Sequence, residues 1–207
     1  MSEMWSTIAA ERGALAEDLV TLSDHEWNAS ALCSDWSVRD TLAHMTSTAT
    51  MTPLKFFTGF LGAGFNFAKF VAAGVERHRG GSPAETLANF QAQQHSTSSP
   101  PGPKLSWLGE TLVHAEDIRR PLGIKHDYPT DALVSVLNFY KGSDALIGTK
   151  TRIAGLRLEA TDTDWSHGSG PTVRGPMLSL LLAATGRAAG VKDLTGEGTE
   201  TLRSRCQ

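Results

Sequence analysis

Apolar side chains recur at three- and four-residue spacings from the start of the chain. Trp5, Ile8, Leu15, Leu19 and Leu22, with acids and Arg12 between them, predict an amphipathic helix over 4–22. A polar connector with Asp24 and the 28–34 stretch follows. Ser37 then stands where a helix cap is expected, with Asp40 three residues on, and Val38, Leu42 and Met45 give the apolar face of a second helix that contains His44. Pro53 breaks this pattern, and Gly59, Gly62 and Gly64 make the next segment a broken helix. Ser82 as cap and Pro83 at the first helical position start a third helix that runs to about Gln94. A Ser/Thr/Pro/Gly loop over 96–103 leads to a fourth, expected from about Lys104 to just before Pro121, with Arg119 and Arg120 at its negative end.

From Thr130 the pattern changes. A helix through Leu133, Val136, Leu137 and Tyr140 precedes an alternating run, Leu156 to Thr161, which reads as a strand. A turn with Trp165, His167 and Gly168-Ser169-Gly170-Pro171 leads into Thr172–Gly175, and Met177 to Thr185 reads as an apolar helix that stops at Gly186 and Arg187. The expected fold is mainly α: an antiparallel four-helix bundle over 1–125, joined to a small α/β unit over 126–207 packed on it.

Composition narrows the function. With 19 basic and 22 acidic side chains, a formal charge of −3 and no long run of either sign, there is no electrostatic footprint for nucleic acid. Two cysteines, Cys33 and Cys206, cannot build a disulfide framework or a cysteine metal cluster, which fits a reducing cytoplasm. The N-terminus lacks the basic flank and apolar run of a signal peptide. Met51 to Val75 is long and apolar enough to raise the question of a membrane span. However, Lys55 and Lys69 would each cost about 2.5–3.5 kcal/mol at a bilayer centre, and the charge-free piece between them, 56–68, is too short. No membrane partner is expected, and the segment is read as buried or covering a cleft.

Candidate chemistry centres on two helices. Glu110 and His114 lie four residues apart, so both project from one helix face and can reach a common point. His44 from a facing helix would complete a His₂Glu set for a divalent metal, with positions left open for water or substrate. On spacing alone a surface pair or capped contact for Glu110 and His114, and a satisfied core or rim role for His44, are the commoner outcomes.

The stretch Trp36-Ser37-Val38-Arg39-Asp40-Thr41-Leu42-Ala43-His44-Met45 resembles a motif of the DinB-like, mycothiol-dependent maleylpyruvate isomerase family. Glu110-Thr111-Leu112-Val113-His114 resembles its second motif, and 117–123 is similar to many members. Ala160-Thr161-Asp162, Trp165, Gly168, Gly170-Pro171, Gly175-Pro176 and the run from Leu180 to Arg187 resemble the C-terminal domain often attached to these bundles. Residues 53–104 show little similarity. The resemblance implies His44, Glu110 and His114 as ligands of a divalent metal, usually zinc. It also implies mycothiol as a small-molecule thiol cosubstrate, activated as a thiolate that attacks an electrophilic substrate. It leaves S-transferase and isomerase outcomes open.

A non-catalytic metal-binding or sensing protein, or a metal-dependent hydrolase, are the competing readings, and a homodimer is compatible with all of them. Arg187 resembles an arginine that reaches an anionic substrate or the thiol, and is the candidate catalytic residue beyond the metal set. A helix C-terminal role is its alternative, and is the favoured one for Arg119 and Arg120. Cys33, with no activating group at a suitable spacing, reads as a small buried residue, and His25, His78, His95, His126 and His167 as solvated. Trp36 and Trp107 precede the ligand-bearing segments and are expected to line the site.

Overall fold

In a computed structural model, residues 3–33, 36–145 and 147–206 are described, so Ser34, at the end of the expected polar connector, lies outside the described residues. The first stripe forms α1 (Glu3–Asp18), which buries Ile8 and Leu15 completely. It is shorter than its periodicity predicts. After Asp18 the chain tightens, with Val20 N–H donating to Glu17 O and Leu22 N–H to Leu19 O, yet Leu19 stays fully buried. The sequence reading missed the short helix that follows, α2 (Asp24–Trp27), which opens on a capping box between Ser23 and Glu26.

α3 (Val38–Thr50) begins where Ser37 and Asp40 require: the Ser37 hydroxyl accepts from Asp40 N–H, and the Asp40 carboxylate accepts from Ser37 N–H. The next segment corrects an expectation. It forms α4 (Pro53–Gly62) and α5 (Phe67–Arg79), and of these only Gly74 and Val75 of α5 are buried, so most of the segment is not. α4 has no buried residue, and Leu54, Phe57, Leu61, Phe65 and Phe67 are all more than 60% exposed. Between the helices Phe65 sits at φ 59°, a conformation that costs a bulky residue. No single helix is long and apolar enough to cross a membrane; α4 and α5 pass such a test together but are bent by 113° at their break.

α6 (Pro83–Gln91) has the expected Ser82 cap and Pro83 start, and ends before Gln94 in a run of turns. α7 (Leu105–Leu122) overruns its predicted stop and contains Pro121. The missing N–H of Pro121 leaves the Asp117 carbonyl without its intrahelical donor, and Leu32 N–H takes that place at 3.0 Å. Gly123, at φ 69°, closes the helix in the left-handed region that glycine tolerates. α3 packs on α5, α6 and α7, while α1 packs on α6 and α7, which makes a DinB-like helical bundle. Leu42, Met45, Phe90, Leu112 and Ile118 fill its core, and the fully buried Arg119 side chain is neutralised by Asp18 at 2.7 Å.

The chain divides into two compact units, Met1–His126 and Asp127–Gln207. The second holds α8 (Thr130–Tyr140), α9 (Thr149–Arg152), β1 (Arg157–Ala160), β2 (Ser166–Gly168), β3 (Thr172–Gly175), α10 (Met177–Ala184), α11 (Ala188–Val191) and α12 (Thr199–Arg203). The strand order is β2-β1-β3, with β1 antiparallel to β2 and parallel to β3. Leu158 pairs in register with Val173, and both are fully buried, as are Leu180, Leu181 and Leu182 of α10. Asp162 caps α10 by accepting from Met177 N–H at 2.9 and 3.1 Å. Gly170, at φ 121°, lies so close to the Gly155 carbonyl that a Cβ there would collide with backbone.

Candidate metal centre

The first unit brings His44, Glu110 and His114 together, from α3 and α7. One ligand atom from each lies within 4.8 Å of the others, and His44 Nε2 is 3.9 Å from Glu110 Oε1. Two ligands bound to zinc at ~2.05 Å in tetrahedral array stand ~3.3 Å apart, so a cation would draw the donors together by about 0.6 Å for His44 and Glu110 and by up to about 1.5 Å for the widest pair, within the reach of side-chain rotation.

Each helix is fixed so that its donor points inward. The capping box sets the start of α3. Arg39 then ties that helix to the α5–α6 connection, donating to Arg79 O at 3.1 Å, Gly80 O at 2.8 Å and Thr86 Oγ1 at 2.9 Å. On α7, His114 is held from behind by Asp117, whose Oδ2 lies 2.9 Å from Nδ1 and which is fully buried. A carboxylate accepting Nδ1–H leaves Nε2 free to coordinate, the usual outer support of a metal-binding histidine.

The electrostatics of the three groups are unequal. Burial, followed by the charge of His114 and opposed by Asp117, pushes His44 down to about 3, so it is neutral at neutral pH. Burial also raises the Glu110 carboxyl, against the opposing effects of His114, Arg12 and a hydrogen bond with Thr48. For His114 burial acts downward, but hydrogen bonds with Asp117 and Cys33 and the charges of Asp117 and Glu110 outweigh it and raise the imidazole to about 10.

Glu110 Oε1 is a buried oxygen with no hydrogen-bond partner. Such an atom is costly unless something satisfies it. A divalent cation would, and two imidazole nitrogens and a carboxylate oxygen suit it. The donor set therefore fits a metal.

Several neighbours escaped the sequence reading. Cys33 is not an inert buried residue: it is half-exposed, its Sγ lies 3.3 Å from Thr41 Oγ1, and it forms a second close group with His114 and Asp117. Its nearness to His114 depends on the Leu32–Asp117 backbone bond and leaves no trace in local spacing. Arg12, almost fully buried, donates to Gln93 O and Ser96 O and adds positive charge near Glu110. Asp117 had a signal, three residues beyond His114 on the same helix face.

Trp36 sits against His44 with ring centroids 4.8 Å apart. Trp107 stands one turn before Glu110, with its indole N–H buried and without a partner. Arg187 belongs to the second unit, where it precedes α11 and donates from Nη1 to Thr185 O at 3.0 Å. Two histidines expected to be solvated are half-buried and engaged: His78 with Thr50 Oγ1 at 3.2 Å and His126 with Glu11 Oε2 at 2.8 Å.

A helical bundle with two imidazoles and a carboxylate converging from α3 and α7, followed by a small α/β unit, defines the DinB-like class with a C-terminal extension. Comparison with known proteins makes the assignment narrower. Residues 8–99 match the family described as the mycothiol maleylpyruvate isomerase N-terminal domain. That match covers 92 of the 207 residues, all of them within the first unit. The match includes His44 and stops short of α7. A histidine-to-alanine mutant of the mycothiol-dependent maleylpyruvate isomerase has a similar crystal structure, with a TM-score of 0.64 and 14% identity over 95% of this chain and 92% of that one. Another crystal structure of the mycothiol-dependent maleylpyruvate isomerase gives a TM-score of 0.53 and 12% identity over the same shares of the two chains. Among curated proteins none matches.

Proposed function

We propose that this protein is a divalent-metal-dependent enzyme that uses a low-molecular-weight thiol, mycothiol in the reading its family suggests, to attack an electrophilic small molecule. His44, Glu110 and His114 would hold the cation, zinc by the character of the donors. The observation that carries this reading is the convergence of those three side chains around a buried, unpartnered carboxylate oxygen. A cation bound there would lower the pKa of a thiol and so supply a thiolate nucleophile at neutral pH.

The protein's own residues do the rest. Asp117 fixes the His114 tautomer. Trp36, packed on His44, limits water at that edge of the site. Arg187 is proposed to bind an anionic group of the substrate or thiol, since guanidinium matches carboxylate geometry. A stable conjugate would make the enzyme an S-transferase, and collapse of the adduct with release of the thiol would make it an isomerase. The free thiols Cys33 and Cys206 go with a cytoplasmic setting.

The test is direct. Protein purified without added metal is assayed by elemental analysis and then by conjugation of monochlorobimane with mycothiol. The wild type should carry about one metal per chain and outpace the free thiol. His44→Ala or His114→Ala should lose both properties and keep its helical circular dichroism. Full metal content in either variant would refute the ligand set, and a metal-loaded protein without thiol transfer would refute the enzyme.

A further inference from the structure

The bundle unit contains a second feature, separate from the three ligands. A cavity of about 680 Å³ lies between the C-terminal half of α3, α4 and α5, within the size range of small-molecule sites. On the α4 side Gly59, Gly62 and Ala63 leave room beside Lys55 and Thr58, and Met51 and Phe70 add apolar surface. A Cβ placed on Gly62 would meet nothing within 4 Å.

The polar lining is one-sided. Lys55, Lys69, Arg77 and His78 all contribute, and no aspartate or glutamate is among the lining residues. The sequence deepens this bias, since no acid occurs between Asp40 and Glu76. Among the described residues Lys69 and Arg77 make no ion pair, and Lys55 Nζ reaches only the Thr50 carbonyl, at 3.1 Å. His78 is held below its ordinary pKa by burial and then by Arg77 and Lys55, a local sign of positive charge that nothing offsets. Cations gathered at an apolar cavity without counter-charges are complementary to an anion with an apolar body.

The cavity also lies near the proposed chemistry. Ser47, which lines it, follows His44 by three residues on α3, so the two lie on neighbouring parts of one face and the cavity begins ~4.5 Å along the helix axis from the His44 level.

We propose that this cavity binds an organic anion with an aromatic or acyl body, and that such amphipathic anions are the class of electrophile the enzyme accepts. The second half rests on the metal–thiol reading above; the first half does not.

The experiment uses the full chain and two fluorescent probes of nearly the same shape. One is 8-anilino-1-naphthalenesulfonate, an anion, and the other is its uncharged analogue N-phenyl-1-naphthylamine. The anion should bind at least ten-fold more tightly. Lys69→Ala combined with Arg77→Ala, both at exposed positions, should erase that preference while the neutral probe binds as before. Gly62→Leu should weaken both probes at least ten-fold by filling the cavity. Equal affinity for the two probes would overturn the anion site. Undiminished binding in Gly62→Leu would also overturn it, because the dye would then be resting on the exposed phenylalanines of α4 and α5. Saturating sulfonate should inhibit bimane conjugation in the wild type and not in the double variant. Conjugation that proceeds uninhibited would sever the cavity from the reaction. A chain that binds the sulfonate selectively but carries no metal would sink the metal–thiol reading, and with it the electrophile, and leave the anion site standing.

Discussion

His114 depends on a neighbour that no substrate needs to touch. Asp117 is fully buried and placed 2.9 Å behind the ring, so Asp117→Asn keeps the shape and removes the charge that orients the imidazole. Cation affinity should fall about 10- to 100-fold, as outer-support changes at metal sites commonly produce, with helical content unchanged. Competition with a chromophoric chelator measures this, and an undiminished affinity would show that His114 needs no such hold. At this scale the sequence is informative where the pattern is local. Glu110 and His114 share a face because four residues make one helical turn, and the Ser37–Asp40 box is written in adjacent positions. Cys33 and Arg12 reach the same neighbourhood from elements far away in the chain, and spacing says nothing about such approaches. His78 and His126 were misjudged for that reason too, since polar sequence neighbours do not reveal the Thr50 or Glu11 partner that folding supplies.

Element boundaries follow from caps more than from periodicity. α3 starts at its capping box, and Ser37→Ala should cost about 1 kcal/mol, within the range of 0.5–2 for such caps, read from urea unfolding of the whole chain. A loss near zero would mean that tertiary contacts alone fix this end. Pro121 shows the opposite case: a residue expected to stop a helix is accommodated because Leu32 N–H claims the carbonyl that proline leaves open. Pro121→Ala would give the Asp117 carbonyl a second, competing donor. The loop that bears Cys33 should loosen, and iodoacetamide should label Cys33 faster, as followed by mass spectrometry; an unchanged rate would show that the loop is anchored elsewhere. Of the two readings of the 51–75 segment, buried or covering a cleft, burial fails over most of its length and the second agrees with the cavity that α4 and α5 wall, because apolar composition reports what a segment can cover, not whether anything covers it. α4 and α5 instead turn Phe57, Phe65 and Phe67 outward and keep small residues and cations toward the cavity.

The architecture of the whole molecule was legible in outline. Stripes at helical period gave the bundle, and the alternation from Leu156 to Thr161 gave a strand. The strand order was not legible, because strands of three or four residues do not specify their partners, and β1 takes the centre of its sheet with one neighbour of each orientation. A ligand that binds only folded protein stabilises it by mass action, so zinc at about 100 times its dissociation constant should stabilise the bundle unit by about 2.7 kcal/mol. Calorimetry of the full chain with and without zinc should show this gain in the wild type and not in His114→Ala; an equal gain in both would place the ion elsewhere. The separation of the donors also bears on biosynthesis. His44 is translated long before Glu110 and His114, and the region that carries the family match ends before α7 begins. While the 66 residues from His44 to Glu110 are added, a nascent chain would therefore hold only one of the three converging donors, too weak a handle to capture an ion, and any cation proposed for this site would have to wait until α7 has emerged and docked against α3.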